Sequence, residues 1–294
     1  MTRARATLTG FVAVLLWALL ALLTKGTEPV PPFLLNALSF GIGGALGLGW
    51  LLASGQGAAL RGIPWRVLAV GTAGLFGYHA LYFSALRLAP VAEASLVAYL
   101  WPLFLVLGSG LLPGERLRAG HVAGAALAFL GAALVVAGGG GDLRGAAAAG
   151  LALAFLCALT WAGYSLASRR MGAVPTAAVA LFCLATAALS VPVHLLAEET
   201  VWPADAGGWI AVAALGAGPV GLAFYAWDVG MKRGDVQLLG VLSYAAPALS
   251  TFALIVAGQA QATGTLVVAA ALIAGGAALA ARASAAPVSR ATGA

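Results

Sequence analysis

Ten stretches of this sequence, each about 18–25 residues long, are nearly free of charge, and only short polar segments separate them. A helix of that length covers the ~30 Å hydrocarbon core of a bilayer at ~1.5 Å per residue. In hydrocarbon each backbone N–H and C=O must find its partner within the protein, so every such run is constrained to be helical. The runs predict spanning helices over residues 8–25, 32–53, 64–87, 91–112, 119–139, 146–168, 175–197, 208–231, 236–257 and 263–281. Hydrophobic residues make up 62% of the chain and charged ones 8%, with a mean hydropathy of +1.01, more apolar surface than a soluble domain can hide. The fold class expected is therefore an all-α, multi-pass membrane protein. No small-residue cleavage site follows the first run, which reads as a retained helix and not as a signal peptide.

The basic residues set the expected orientation. With the N-terminus in the cytoplasm, Arg3, Arg5, Arg61, Arg66, Arg116, Arg118, Arg169, Arg170, Lys232, Arg233, Arg282 and Arg290 fall inside, and only Lys25, Arg87 and Arg144 fall outside. That bias places both termini in the cytoplasm of a cell inner membrane. The net charge of +6 is explained by this asymmetry and gives no reason to expect a nucleic acid partner.

The chain also repeats itself. Trp17-Ala18, Lys25 and Pro31 return as Trp161-Ala162, Arg169 and Pro175 at a shift of 144, and Gly114-Glu115 returns as Gly258-Gln259. Tyr99 and Pro102 return as Tyr244 and Pro247 at a shift of 145. Five helices per unit is an odd number, so the second unit must be inverted in the membrane relative to the first. The units expected are residues 1–140 and 141–294, with Gly138 to Gly141 and Asp142 as the loop between them. Gly43 with Gly47, and Gly120 with Gly124, have the spacing that lets helix backbones approach closely in lipid. A monomer is expected in preference to an obligate oligomer.

Pro102 and Pro247 each lie within an apolar run, three residues after a tyrosine. A proline there cannot donate its backbone hydrogen bond and frees the carbonyl four residues earlier, which belongs to Ala98 or Ser243. Paired helix breaks in corresponding positions point to a transport site near the midplane, while a packing kink is the plainer alternative. Aromatic residues accompany the breaks. His79 lies eight residues before Arg87, ~12 Å from the outer surface, and Tyr99 is at a similar depth on the next run. Tyr78, His79, Tyr82, Tyr99 and Trp101 are expected to form an outer patch, and inversion predicts a matching inner patch of Tyr225, Trp227, Ser243 and Tyr244. Trp17 and Trp161 fall near the middle, whereas Trp65, Trp202 and Trp209 lie at span ends as interfacial anchors. These side chains line either a cavity or a hydrogen-bonded core.

The remaining polar residues are assigned more ordinary roles. Asp228 is expected to pair with Lys232 one turn on, Arg87 and Glu93 to face water, and Glu115 to be solvated or to cap a helix. His79 is the one histidine expected at depth, as a satisfied core residue or a working one. Cys157 and Cys183 lie in apolar runs, which disfavours a disulfide or zinc site, and no metal, cofactor or nucleotide motif is found. An integral membrane enzyme is the alternative of a different class, but no nucleophile–base or carboxylate cluster supports it.

The ten runs, their two five-helix units and Leu112-Pro113-Gly114-Glu115 closing the fourth resemble the drug/metabolite transporter superfamily with its paired EamA domains. Within it, Tyr99-Leu100-Trp101-Pro102 and Ser243-Tyr244-Ala245-Ala246-Pro247 resemble aromatic amino acid exporters of the YddG type, with Ala98 where that pattern carries Asn. The resemblance implies export of amino acids, aromatic and other neutral or hydrophobic ones, by alternating access. Export of another small neutral or cationic metabolite or drug is the second reading. The topology has a direct test. Single cysteines at Ser54 and Ala204, in a background lacking Cys157 and Cys183, should label from opposite sides, Ser54 only after permeabilisation. Labelling of both from outside would refute the inverted ten-helix arrangement.

Overall fold

The computed structural model describes residues 1–137, 148–258 and 261–285, and these are helical throughout, without a strand. By length and composition, eight helical stretches can cross a membrane, and two shorter apolar ones, Glu93–Ser109 and Ala119–Leu134, accompany them. The expected linker of Gly138 to Asp142 lies outside the described residues, as do Arg144, Gln259 and Arg290.

Most expected runs are found within a few residues. The second is α3 (Pro32–Ala53), the third α4 (Trp65–Leu88), the fifth α7 (Ala119–Ala137) and the sixth α8 (Ala148–Arg170). The seventh is α9 (Ala178–Ala197) and the tenth α14 (Gly264–Ala285). The other four are interrupted. The fourth divides into α5 (Val91–Ala98) and α6 (Trp101–Ser109), and the ninth into α12 (Val236–Leu242) and α13 (Ala245–Val256). Both breaks lie just ahead of the prolines, as expected from the missing N–H. Hydroxyl and backbone groups reshape them, however. The Ser243 carbonyl is not free, because it accepts from the Ala246 N–H at 3.1 Å in a tighter turn. Two further interruptions are not among the expected ones, although the second contains Pro219. The first run divides into α1 (Arg3–Trp17) and α2 (Leu20–Gly26). The eighth divides into α10 (Ala206–Ala217), a π-helical turn over Gly218–Leu222, and α11 (Ala223–Arg233).

The long helices pack in four principal pairs: α1 on α11, α4 on α8, α3 on α9 and α7 on α14. Small residues make these approaches possible. A Cβ on Gly10 would lie 2.9 Å from the Gly230 Cα, and one on Gly124 would lie 2.5 Å from the Gly276 carbonyl oxygen. Gly43 meets Gly221 of the π turn, where a Cβ would be 2.8 Å from the facing Cα. Gly47 receives the Tyr225 ring and Gly120 faces Ala283, so both spaced glycine pairs lie at helix contacts. Without a hydrophobic force between helices in lipid, this close van der Waals contact is a main source of cohesion.

The two ends of the bundle are tied differently. At one end Glu115, beyond α6, pairs with Arg3 of α1 at 3.1 Å and with Arg169 of α8. Arg3 also reaches Asp235 at 3.4 Å, and Arg169 donates to the carbonyls of Met231 and Lys232. The Glu115 side chain is only 4% exposed, so it is an inter-helix clasp and not the solvated carboxylate expected. Asp228 pairs with Lys232 at 2.8 Å as expected, and it also accepts from Ser168 and Thr176. At the opposite end Glu198 accepts from the backbone of Phe33 and Leu34 at the start of α3 and pairs with Arg87 and His194. A carboxylate there completes the unsatisfied first turn of a helix. Arg87 is thus half-exposed but paired, and Glu93 is buried on α5 instead of facing water.

Candidate functional site

At the centre of the bundle the irregular segments converge on four indoles. Trp17 ends α1 at its break, Trp101 begins α6 after its break, and Trp161 and Trp227 project from α8 and α11. The Trp17 ring lies 5.2 Å from Trp227, 5.6 Å from Trp161 and 6.4 Å from Trp101. Trp101 meets Trp161 at 6.2 Å and Trp227 at 5.7 Å, edge-on in both cases. Edge-to-face pairs of this kind contribute about 0.5–1.5 kcal/mol each beyond their area. The cluster is therefore a rigid platform.

Two of the indole N–H groups hold the platform in register. Trp17 Nε1–H donates to the Pro219 carbonyl at 3.0 Å, so the break in α1 is joined to the π turn. A π turn widens the helix and leaves carbonyls off the usual ladder, and one of them is used here. Trp227 Nε1–H donates to Ser165 Oγ at 3.0 Å. The other two are uncommitted: among the described residues Trp101 Nε1–H and Trp161 Nε1–H have no protein acceptor, and neither is sealed from solvent.

Tyr78, His79 and Tyr82 continue the wall along α4 and stay partly accessible, as does Tyr99 between α5 and α6. Tyr78 lies 5.3 Å from Trp161 and stacks on Tyr82 at 6.0 Å. Tyr82 Oη and Ser95 Oγ are 2.9 Å apart, which fixes that ring against α5. His79 Nδ1 lies 2.7 Å from the Leu75 carbonyl and must carry the proton to donate to it, leaving Nε2 as an acceptor. The ring faces Phe40 at 4.9 Å, and Phe40 stacks on Phe224 at 5.4 Å. A partly accessible tyrosine–histidine wall thus adjoins a floor of Trp101, Trp161, Trp227, Phe40 and Phe224, all buried, with Trp17 half-buried among them.

The expected outer patch is brought together, joined by Trp17 and Trp161. The expected inner patch does not form as a unit. Trp227 enters the central platform, while Tyr225, two residues away and on another face, donates from Oη to the Gly43 carbonyl at 3.2 Å. Tyr244 lies in a separate cluster with Val106, Val241 and Ile273, and faces Phe129 at 5.9 Å. Ser243 is buried, its hydroxyl donating to Leu239 O at 2.8 Å, and Ala98 is buried at the end of α5. Phe40, Ser95 and Ser165 contact His79, Tyr82 and Trp227 but were not anticipated, because a phenylalanine or serine in an apolar run carries no distinguishing signal. The repeat does carry one for Phe224, which is the counterpart of His79 at a shift of 145.

At the span ends Trp65 is 73% exposed, and Trp202 stacks on Trp209 at 6.0 Å, outside the cluster that holds Trp101, Trp161 and Trp227. Truncating Trp101 to alanine should lower the initial transport rate at least tenfold with normal expression and a monodisperse elution profile. Trp209→Ala should change the rate less than twofold, by the same uptake assay. Equal damage from both would remove the support for the platform as the site.

A relative from Ancylobacter novellus, named aromatic amino acid exporter YddG, is 58% identical over 282 residues, covering 95% of this chain and 98% of its own length. Proteins of the same name from Salmonella typhimurium and Escherichia coli are 29% and 27% identical, each covering 85% of this chain and 88% of its own length. A crystal structure 56% identical in sequence superposes with a TM-score of 0.92, over 97% of this chain and all of that one. Residues 4–137 and again 148–282 match the EamA-like transporter family, and the chain belongs to that family.

Proposed function

We propose that this multi-pass inner-membrane transporter exports amino acids, aromatic and other neutral or hydrophobic ones, through the central aromatic cavity by alternating access. The observation that carries this reading is the set of uncommitted polar groups around an apolar platform. Among the described residues Trp101 Nε1–H and Trp161 Nε1–H have no acceptor, and their rings pack edge-on at 6.2 Å. An amino acid side chain can lie on the indole faces, and its ammonium is attracted to them by cation–π contact. The carboxylate then takes the indole N–H groups, and the His79 Nε2 lone pair accepts from the ammonium. No arginine or lysine is spent on the carboxylate, which fits weak binding and ready release. The exporter name of the three relatives supports the same substrate class.

The transport cycle proposed rests on ten spans in two inverted units, residues 1–140 and 141–294, with both termini cytoplasmic. Three observations support it. The α1–α11 and α8–α4 pairs exchange under the repeat, whereas α3–α9 and α7–α14 map onto themselves. The helix breaks after Ala98 and Leu242 correspond, and the family match occurs twice. The Arg3 end is then cytoplasmic, where Arg3, Glu115, Arg169 and Asp235 clasp α1, α8 and α12 together. At the Glu198 end the ties join α3, α4 and α9 and leave α5 and α12–α13 outside the network. This arrangement supports a state open to the outside, with closure by tilting of the broken helices.

Energy coupling follows from the same residues. Asp228 is held by Lys232, Ser168 and Thr176, so it offers no free carboxylate along the path. His79 has Phe224 as its repeat counterpart, 6.4 Å away, which argues against a proton relay across the platform. The reading is facilitated transport down the amino acid gradient, with His79 as a hydrogen-bonding wall residue. In proteoliposomes, labelled tryptophan uptake should be little changed by an imposed pH gradient, for the wild type and for His79→Gln. Uphill accumulation driven by the gradient and lost in His79→Gln would show that the histidine carries a proton. Absence of uptake for every amino acid offered would refute the substrate class.

A further inference from the structure

A polar cavity of about 210 Å³ lies at the Arg3 end, between the link that follows α6 and the facing ends of α7, α12 and α14. It shares Arg3, Asp235 and Ser284 with an apolar groove of about 440 Å³ that runs between α1 and the α12–α14 face. The groove wall is built from Leu8, Phe11, Leu238, Leu242 and Ala281. Leu8 is 65% exposed on the lipid-facing side of α1, so the groove is open along the bundle surface. One continuous site thus has a charged head and an apolar tail.

The hydrogen bonds of the head define its ligand chemistry. Both carboxylates are already engaged: Glu115 by Arg3 and Arg169, and Asp235 by Arg3 and by the Leu238 N–H at 2.9 Å. His121 Nδ1 accepts from the Arg118 N–H at 3.2 Å, which leaves Nε2–H to donate to Ser284 Oγ at 3.2 Å. The Ser284 hydroxyl proton is then directed elsewhere. Gln237 is 1% exposed, lines the cavity, and its Nε2 has no hydrogen-bond partner. A buried amide donor left unpaired costs about 1–3 kcal/mol, so an acceptor belongs there. Arg116, also in the lining, is exposed and adds positive charge.

We propose that this is a binding site for one anionic phospholipid, its phosphate held by Gln237, Ser284 and Arg116 and an acyl chain lying in the groove against Leu8 and Phe11. A water-soluble phosphate would account for the head but not for the apolar groove that continues from it. The lipid would bridge α1, α12 and α14, elements drawn from both matched halves of the chain. The assignment needs the Arg3 end to lie at a headgroup layer, and it does not depend on the substrate transported.

The test is native mass spectrometry of the detergent-purified protein, with phosphatidylglycerol and phosphatidylcholine in equal supply. The wild type should retain one phosphatidylglycerol in preference to phosphatidylcholine. Arg116→Gln and Gln237→Leu should each weaken that retention about tenfold, equivalent to ~1.4 kcal/mol. Ala281→Phe, which fills the groove and leaves the head intact, should weaken it as much, and it stands as an independent variant should Gln237→Leu misfold. Equal retention of the two lipids, or undiminished retention by Arg116→Gln and Ala281→Phe, would overturn the proposal. So would displacement of the bound lipid by glycerol phosphate at matched concentration, which would mark a headgroup-only phosphate site.

Discussion

A backbone group inside hydrocarbon must be satisfied within the protein, and this requirement governs where the chain can depart from a regular helix. Among the described residues four departures occur within its apolar runs: at Ala18, at Tyr99, at the π turn over Gly218–Leu222, and at Ser243. Two of them are compensated by named groups. Trp17 covers the Pro219 carbonyl, and a tighter turn takes up the Ser243 carbonyl. Because the compensating groups include the aromatic residues themselves, the breaks fix the platform as well as interrupt the helices. Site and irregularity are one feature.

The positions of the helices were legible because hydrophobic length is a strong constraint in a bilayer. The run expected at 32–53 is α3 to the residue, and the proline-linked breaks fall at the expected places. The π turn was only partly legible: Pro219 marks a break in the eighth run, but its form depends on the approach of Gly43 to Gly221, a contact between helices far apart in sequence. The site was partly legible. Depth arithmetic gathered Tyr78, His79, Tyr82, Tyr99 and Trp101, because position along a helix converts directly to height. It could not fix azimuth, so Tyr225, Trp227 and Tyr244 were placed together although they face three different neighbours. Glu93 and Glu115 were misread for a related reason. A charge at the end of an apolar run looks solvated until the packing of the next helix is known.

Cohesion and mobility are distributed to suit a carrier. Paired glycines join α1 to α11 and α7 to α14 at backbone distance, contacts that tolerate no added side chain. The broken helices α5–α6 and α12–α13 have shorter continuous ladders and lie beside the platform, which is where the proposed cycle needs a change of tilt. Charge pairs tie α1, α8 and α12 at one end of the bundle and α3, α4 and α9 at the other. Such pairs can exchange partners at modest cost near water, whereas a hydrophobic seal of equal extent would not reopen easily.

The central claim is that one aromatic site faces each side of the membrane in turn. A single cysteine at Tyr99, in a background lacking Cys157 and Cys183, reports this directly through an impermeant thiol reagent. Right-side-out and inside-out vesicles should both be labelled, each at a rate suppressed by saturating tryptophan. Labelling from one side only, unaffected by substrate, would contradict alternating access at this site.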